Sequence, residues 1–351
     1  MRTLLRLPRR VSLSLLILSA ALFPRLSRLA AVDAPIAPPI NAPVERTPIV
    51  PEPPFPGLYT LERMERLNAE DRAQPYWVQS ESEAAAVARR LADFRSLLLN
   101  DDVVAFYGSP LSKRMGILGR YPMHELDGLL SSVAQDLDQA NGDRGVRRAF
   151  YIIYGMAWPE GEIGILRDSR LIEYIEFALE RNILVFIDHQ IGKYGVVDSL
   201  KKMLPYLRYP NVHLALDPEW RTLYPMVEIG SVNADEINEA QRAMEEYIVA
   251  HGIPGERMLV VHQFHFKMIA DRERVRSDFS RVRLVHCADG FGVPALKRMS
   301  YGYNATAENI PVKGFKLFYK SDTPGAGFDE PLMTPSEVFG LTPRPSVVMY
   351  Q

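Results

Sequence analysis

Asp217 and Glu219, in the run Val212-His213-Leu214-Ala215-Leu216-Asp217-Pro218-Glu219-Trp220, are the side chains of this sequence best placed for chemistry. In an extended strand the period of two puts His213, Ala215, Asp217 and Glu219 on one face. Two carboxyls that close cannot both ionise cheaply, so one is expected to keep its proton near neutral pH and serve as a donor. Trp220 beside them offers a flat apolar surface of the kind on which a sugar ring stacks. Read without chemistry, Asp217 caps the loop and Glu219 is a solvated charge.

Other apolar runs end in the same manner. Asp188-His189-Gln190 follows Leu-Val-Phe-Ile, and His262-Gln263-Phe264-His265 follows Met-Leu-Val-Val. Tyr107, Tyr154, Tyr319 and Tyr350 close further runs, and Asp289 precedes Gly290, for which a turn is the plainer reading. The expected catalytic residues are Glu219, Asp217 and Asp188. The expected substrate-binding residues are Tyr107, Tyr154, Gln190, Trp220, His262, Gln263, Asp289 and Tyr319. His189, His262 and His265 allow a metal-dependent hydrolase as an alternative, but no metal ligand set and no cofactor is assigned. Cys287 reads as a small core residue, and Lys313 and Lys316 as surface or barrel-end charges. The loop Ser321–Thr334, with Asp322, Asp329 and Glu330, reads as a lid or cleft wall able to hold a second carboxylate.

These residues need a scaffold that brings strand ends together. Short runs rich in Val, Ile, Phe and Tyr predict strands at Val103–Tyr107, Ala149–Tyr154, Leu184–Asp188, Val212–Asp217, Met258–Gln263, Val282–Cys287, Phe315–Tyr319 and Ser346–Tyr350. Amphipathic stretches between them predict helices at Glu125–Ala140, Asp168–Arg181, Val197–Leu207, Ala234–His251, Phe266–Arg276, Val293–Tyr301 and Pro335–Phe339. This alternation predicts an α/β fold, a (β/α)8 TIM-type barrel whose functional groups sit at the C-terminal strand ends. An open doubly wound sheet is the alternative, weakened by the lack of a Gly-rich first turn. Helices at Leu61–Asp71 and Ser82–Leu99 precede the barrel, and the second can cover the groove beside the last strand.

The barrel domain is assigned to residues 57–351. Residues 1–31 combine Arg2, Arg6, Arg9 and Arg10 with an apolar run from Val11 to Phe23, the pattern of a signal peptide or uncleaved anchor. Residues 32–56 form a Pro-rich linker holding nine of the chain's 27 prolines. Without residues 1–31 the chain keeps 35 basic and 43 acidic residues, a net charge of −8. An acidic exported chain is a poor partner for nucleic acid or anionic lipid. A single cysteine excludes an internal disulfide and a thiolate metal cluster. The expected location is secreted or cell-envelope associated in a bacterium, with a possible membrane tether through the N-terminus.

Asp217-x-Glu219 at the end of the fourth predicted strand resembles the end of the chitinase-type glycoside hydrolase motif, whose last Glu protonates the glycosidic oxygen. Val212 and Ala215 stand where that motif has further aspartates. Barrel glycosidases of the other large group place a nucleophile on strand seven, where this chain has Phe318-Tyr319-Lys320. Asp-Pro-Glu-Trp followed by Val-His-Gln-Phe also resembles a group of bacterial secreted or lipid-anchored proteins. The resemblance implies a glycoside-hydrolase-like barrel acting on envelope or extracellular carbohydrate, with Glu219 as general acid. A non-catalytic glycan-binding barrel is the alternative from another class.

Overall fold

The computed structural model describes residues 97–253 and 255–351. The expected signal segment, the Pro-rich linker and the helices over 61–71 and 82–96 lie outside the described residues. The strands are β1 (Asp101–Gly108), β2 (Gly145–Ala157), β3 (Ile163–Ile165), β4 (Leu184–Gln190), β5 (Val212–Asp217), β6 (Val232–Asn233), β7 (Arg257–Gln263), β8 (Ile269–Ala270), β9 (Val282–Ala288), β10 (Lys313–Leu317) and β11 (Val347–Tyr350). The helices are α1 (Leu97–Asn100), α2 (Met123–Asp138), α3 (Asp168–Glu180), α4 (Val196–Lys201), α5 (Ala234–Ala250), α6 (Pro294–Ala305) and α7 (Pro335–Phe339).

The strand order β1-β11-β10-β9-β7-β5-β4-β2 returns to β1, because β1 pairs in parallel with both β2 and β11. Every one of these pairings is parallel. The sheet therefore closes into the eight-stranded parallel barrel that the alternation of strands and helices implies, with no free edge. Two short pairings lie outside it: β3 runs antiparallel to the end of β2, and β6 pairs with β8.

Alternation along each strand sorts the core into two layers. Val103, Ala105 and Tyr107 face the lumen with Ala149, Tyr151, Phe186, Ala215, Val260, Val285 and Met349, closed below by Leu97 and Leu98. The intervening residues, such as Val104, Phe106, Phe150, Ile187, Leu214 and Val261, pack outward against the helices. Strands buried on both sides must be almost wholly apolar, and this is why the sequence pattern was readable. At the N-terminal end, buried Asp102 joins the closure: Arg344 grips it with both terminal nitrogens at 3.0 and 2.6 Å, and Arg144 Nε donates at 3.1 Å. One carboxylate thereby ties the segments before β2 and β11 to β1.

Three elements differ most from expectation; β2 also runs longer, Gly145–Ala157 against Ala149–Tyr154, and α6 continues past Tyr301 to Ala305. Phe266–Arg276 is not a helix but two single turns, Phe266–Met268 and Arg272–Arg274, separated by β8. Side-chain amides take the backbone groups that a helix would use there. Asn309 donates to the carbonyls of Arg272 and Val275, and Asn238 bonds Arg274 O and Arg276 N. Val197–Leu207 splits after Lys201, because Pro205 has no N–H to continue the ladder. The seventh barrel strand spans Lys313–Leu317 instead of Phe315–Tyr319, since the Asp329 carboxylate captures Phe318 N at 3.0 Å.

α5 begins on a reciprocal cap: Asn233 accepts from Glu236 N, and Glu236 accepts from Asn233 N. Asn233→Ala is expected to cost about 1 kcal/mol, read as a lower urea midpoint at unchanged m-value. An unchanged midpoint would show that tertiary packing alone fixes this helix start.

Candidate active site

The C-terminal mouth of the barrel gathers Asp188 from β4, Asp217 from β5, His262 from β7, Asp289 just after β9 and Lys316 from β10, all buried. Lys316 Nζ lies 3.1 Å from Asp289 Oδ2, and His262 Nδ1 lies 3.1 Å from the same oxygen. Lys316 also sits 3.8 Å over the ring of Tyr107. Tyr107 donates to Asp188 Oδ2 at 2.9 Å, and Tyr151 OH pairs with His262 Nε2 at 2.7 Å. His262 Nε2 is 4.0 Å from Asp188. Both cations therefore hold Asp289 more closely than any other acid of the cluster.

β5 ends at Asp217, and Pro218–Trp220 form one tight turn, so Glu219 does not continue the strand face. Pro218 forces this, having no N–H for a further ladder bond. Asp217 Oδ1 accepts from Glu219 N at 3.3 Å, and Oδ2 accepts from the Trp220 indole at 3.0 Å. The capping role and the clustering of carboxyls are thus both present in Asp217. Glu219 is half-buried at the lip, and its carboxyl forms no hydrogen bond or ion pair among the described residues.

Burial and unequal access to the cations spread these acids apart. Burial pushes Glu219 up to about 8, with the Asp217 and Asp289 charges adding to it. Burial also raises Asp217, to about 7, against the pull of His262 and Lys316. Asp188 is raised by burial, partly offset by His262, Lys316 and the Tyr107 hydroxyl. Asp289 goes the other way: burial opposes its charge, but Lys316 and His262 hold it far below the usual carboxylate range. Burial likewise works against the His262 imidazolium, and Asp289, Cys287 and Asp188 outweigh it and raise its pKa well above normal. The site thus sets one acid held low beside two cations held high, and two further acids, Asp217 and Glu219, raised to near neutrality.

Several expected site residues stand elsewhere. Tyr154 faces outward against Tyr206, with ring centroids 5.8 Å apart, and Tyr319 stacks on Tyr350 in the layer beneath the helices. Gln263 also points outward, where its Oε1 lies 2.8 Å from His286 Nε2 and its backbone carbonyl accepts from Asn304 of α6. None of these three lines the lumen, because alternation turns them to the helix side. Gln190 lies at the mouth but its Oε1 accepts from Ala157 N at 2.8 Å, bracing the end of β2. His189 turns outward, with its Nδ1 on Gln190 O, and His265 caps the turn after β7 through Lys267 N. The three histidines of the metal alternative therefore do not converge.

Asp289 is more than the turn residue that Gly290 suggested, although it does accept from Gly290 N at 2.7 Å. Lys316 is no surface charge; it is the principal cation of the mouth. Lys313 is also buried, donating to Asn304 O and Ala307 O at the end of α6, and burial pushes it down to about 7. Tyr151, missed in the sequence, lies where Tyr154 was expected. β2 runs on to Ala157, past the expected end at Tyr154, and alternation puts Tyr151 on the lumen side and Tyr154 on the helix side. In the loop over the mouth, Asp329 is a tether: it accepts from Gly292 N and Phe318 N and lies 3.4 Å from Lys297.

No protein-family model matches the chain, and no curated protein matches it. Among solved structures, a xylanase and α-amylase inhibitor protein from Scadoxus multiflorus is similar at 10% identity and a TM-score of 0.40, covering 71% of this chain and 92% of that chain. The barrel assignment rests on the strand pairings of this chain itself.

Proposed function

We propose that the chain is a glycan-cleaving hydrolase in which Glu219 is the general acid. The observation that carries this reading is the divergence of four acids in one mouth. Glu219, half-buried and without a cation of its own, keeps a proton up to about pH 8. Asp289, gripped by Lys316 and His262, never takes one near neutrality. Glu219 would protonate the glycosidic oxygen as the bond to the leaving sugar breaks. Asp217, ionised above about pH 7, would face the positive charge that develops on the sugar ring, water then adding to that carbon and its proton returning to Glu219. Asp188 lies deeper, held by Tyr107, and its part is to shape the field around Asp217. Trp220, fixed to Asp217 through its indole N–H, offers its ring face to a sugar. The expected carbohydrate substrate is an envelope or extracellular polysaccharide.

The activity then depends on two protonation states of one coupled pair. Asp217 must lose its proton while Glu219 keeps its own, so kcat/KM is expected to form a narrow bell, with limbs near pH 7 and pH 8. Reducing-end release measured from pH 5 to 10 checks this. A rate that stays flat to pH 10 would remove Glu219 as the acid.

A further inference from the structure

The loop that carries Glu219 also carries a concentration of exposed apolar surface. Glu219 O accepts from Gly230 N at 2.6 Å, closing residues 219–230 at the base as an Ω-loop. Arg221 pairs with Glu236 of α5 at 2.9 Å, and Thr222 Oγ1 donates to Glu228 at 3.0 Å. Between Arg221 and Glu228 the tip is uncharged: Thr-Leu-Tyr-Pro-Met-Val. Leu223, Tyr224, Met226 and Val227 are 55%, 58%, 54% and 54% exposed. Trp158 at 57% and Phe266 at 59% stand in the loops after β2 and β7, at the same end of the barrel. Single exposed apolar residues, such as Val249 on α5 and Met299 on α6, need no explanation; a concentration of them in the loops of one end does.

We propose that this end of the barrel seats on a lipid surface, with the tip Thr222–Val227 entering the interfacial layer. Trp158 and Tyr224 are the residue types that settle at a membrane–water interface. The uncharged tip enters without desolvating a charge, while Arg221 and Glu228 stay at its base with their own partners. The 96 residues before Leu97 begin with a basic and apolar stretch that reads as an export signal or anchor. Leu97 and Leu98 lie at the end opposite the mouth, so the tip is a contact separate from any that the preceding residues make. The inference is independent of glycan cleavage.

The test uses the full chain with Met226→Cys carrying an environment-sensitive fluorophore; native Cys287 is fully buried and does not compete for the label. The probe surface is phosphatidylcholine vesicles, with and without brominated acyl chains. Labelled Cys at 226 is expected to shift to shorter wavelength with vesicles and to be quenched several-fold more by brominated chains. A label placed by Met299→Cys, exposed on α6, is expected to change in neither respect. Combined Leu223→Ser, Met226→Ser and Val227→Ser is expected to weaken vesicle partitioning about ten-fold. The proposal is overturned if the vesicle-bound chain leaves the 226 label unquenched. It is equally overturned if that label shifts with protein concentration alone, which would make the occupant a second copy.

Discussion

Replacing Lys316 with methionine is expected to destabilise the chain at pH 7 by about 3–5 kcal/mol, the usual consequence of removing one partner of a buried ion pair. Asp289 would remain buried with only His262 beside it. The pH dependence separates this cause from simple repacking. In the native chain the Asp289 pKa lies below its unfolded value, so its contribution is present above about pH 4 and lost as the pH falls further. Without Lys316 that pKa rises, and acidification neutralises the stranded anion. The stability gap between the two proteins should therefore narrow from pH 7 to pH 5 in urea titrations. A gap constant with pH would mean that lost packing over Tyr107 is the whole effect. Lys316 also lowers Asp217 and Glu219, so both limbs of the rate profile should move to higher pH in the variant.

Glu219→Gln is expected to lower kcat on a natural glycan by 10²–10⁴-fold, the range general acids contribute. The fold should survive, because the Glu219 side chain supports no bond or ion pair among the described residues and the backbone links of its turn are kept. Its stability should even improve relative to the native chain as pH rises. Glu219 has a folded pKa of about 8 against roughly 4.3 when unfolded. Its contribution is thus complete at acid pH and is lost as pH rises toward 8, whereas glutamine does not titrate. Aryl glycosides whose leaving group departs without a proton should regain most of the rate in the variant. If such substrates and natural glycans suffer equally, the residue positions the sugar and does not donate the proton.

The barrel was legible because its strands are buried on both faces and must be apolar almost without interruption. Helices with strong amphipathic pattern, such as Asp168–Glu180 and Ala234–Ala250, fall within a residue of expectation. Phe266–Arg276 did not, because the competitors for its backbone, Asn238 and Asn309, come from segments remote in sequence.

Within the site, residues on the lumen side of an uninterrupted strand, Asp188, Asp217 and His262, could be placed by counting. The same counting would have turned Lys316 inward had the end of the seventh strand at Leu317 been visible; that end depends on Asp329, whose hold on Phe318 no local pattern announces. Tyr154 and Gln263 were drawn in by lying near the ends of runs, although alternation puts them on the helix side. Asp289 looked like half of an Asp-Gly turn and is also the anion on which both cations close.

The most direct measurement is reducing-end release by the full chain from a panel of bacterial and plant polysaccharides, run beside Glu219→Gln at pH 7.5. Release from at least one glycan by the native chain, lost in the folded variant, is the expected result. Equal release from both proteins would remove Glu219 from the chemistry. Saturable glycan binding by both without any release would make the barrel a binding protein instead.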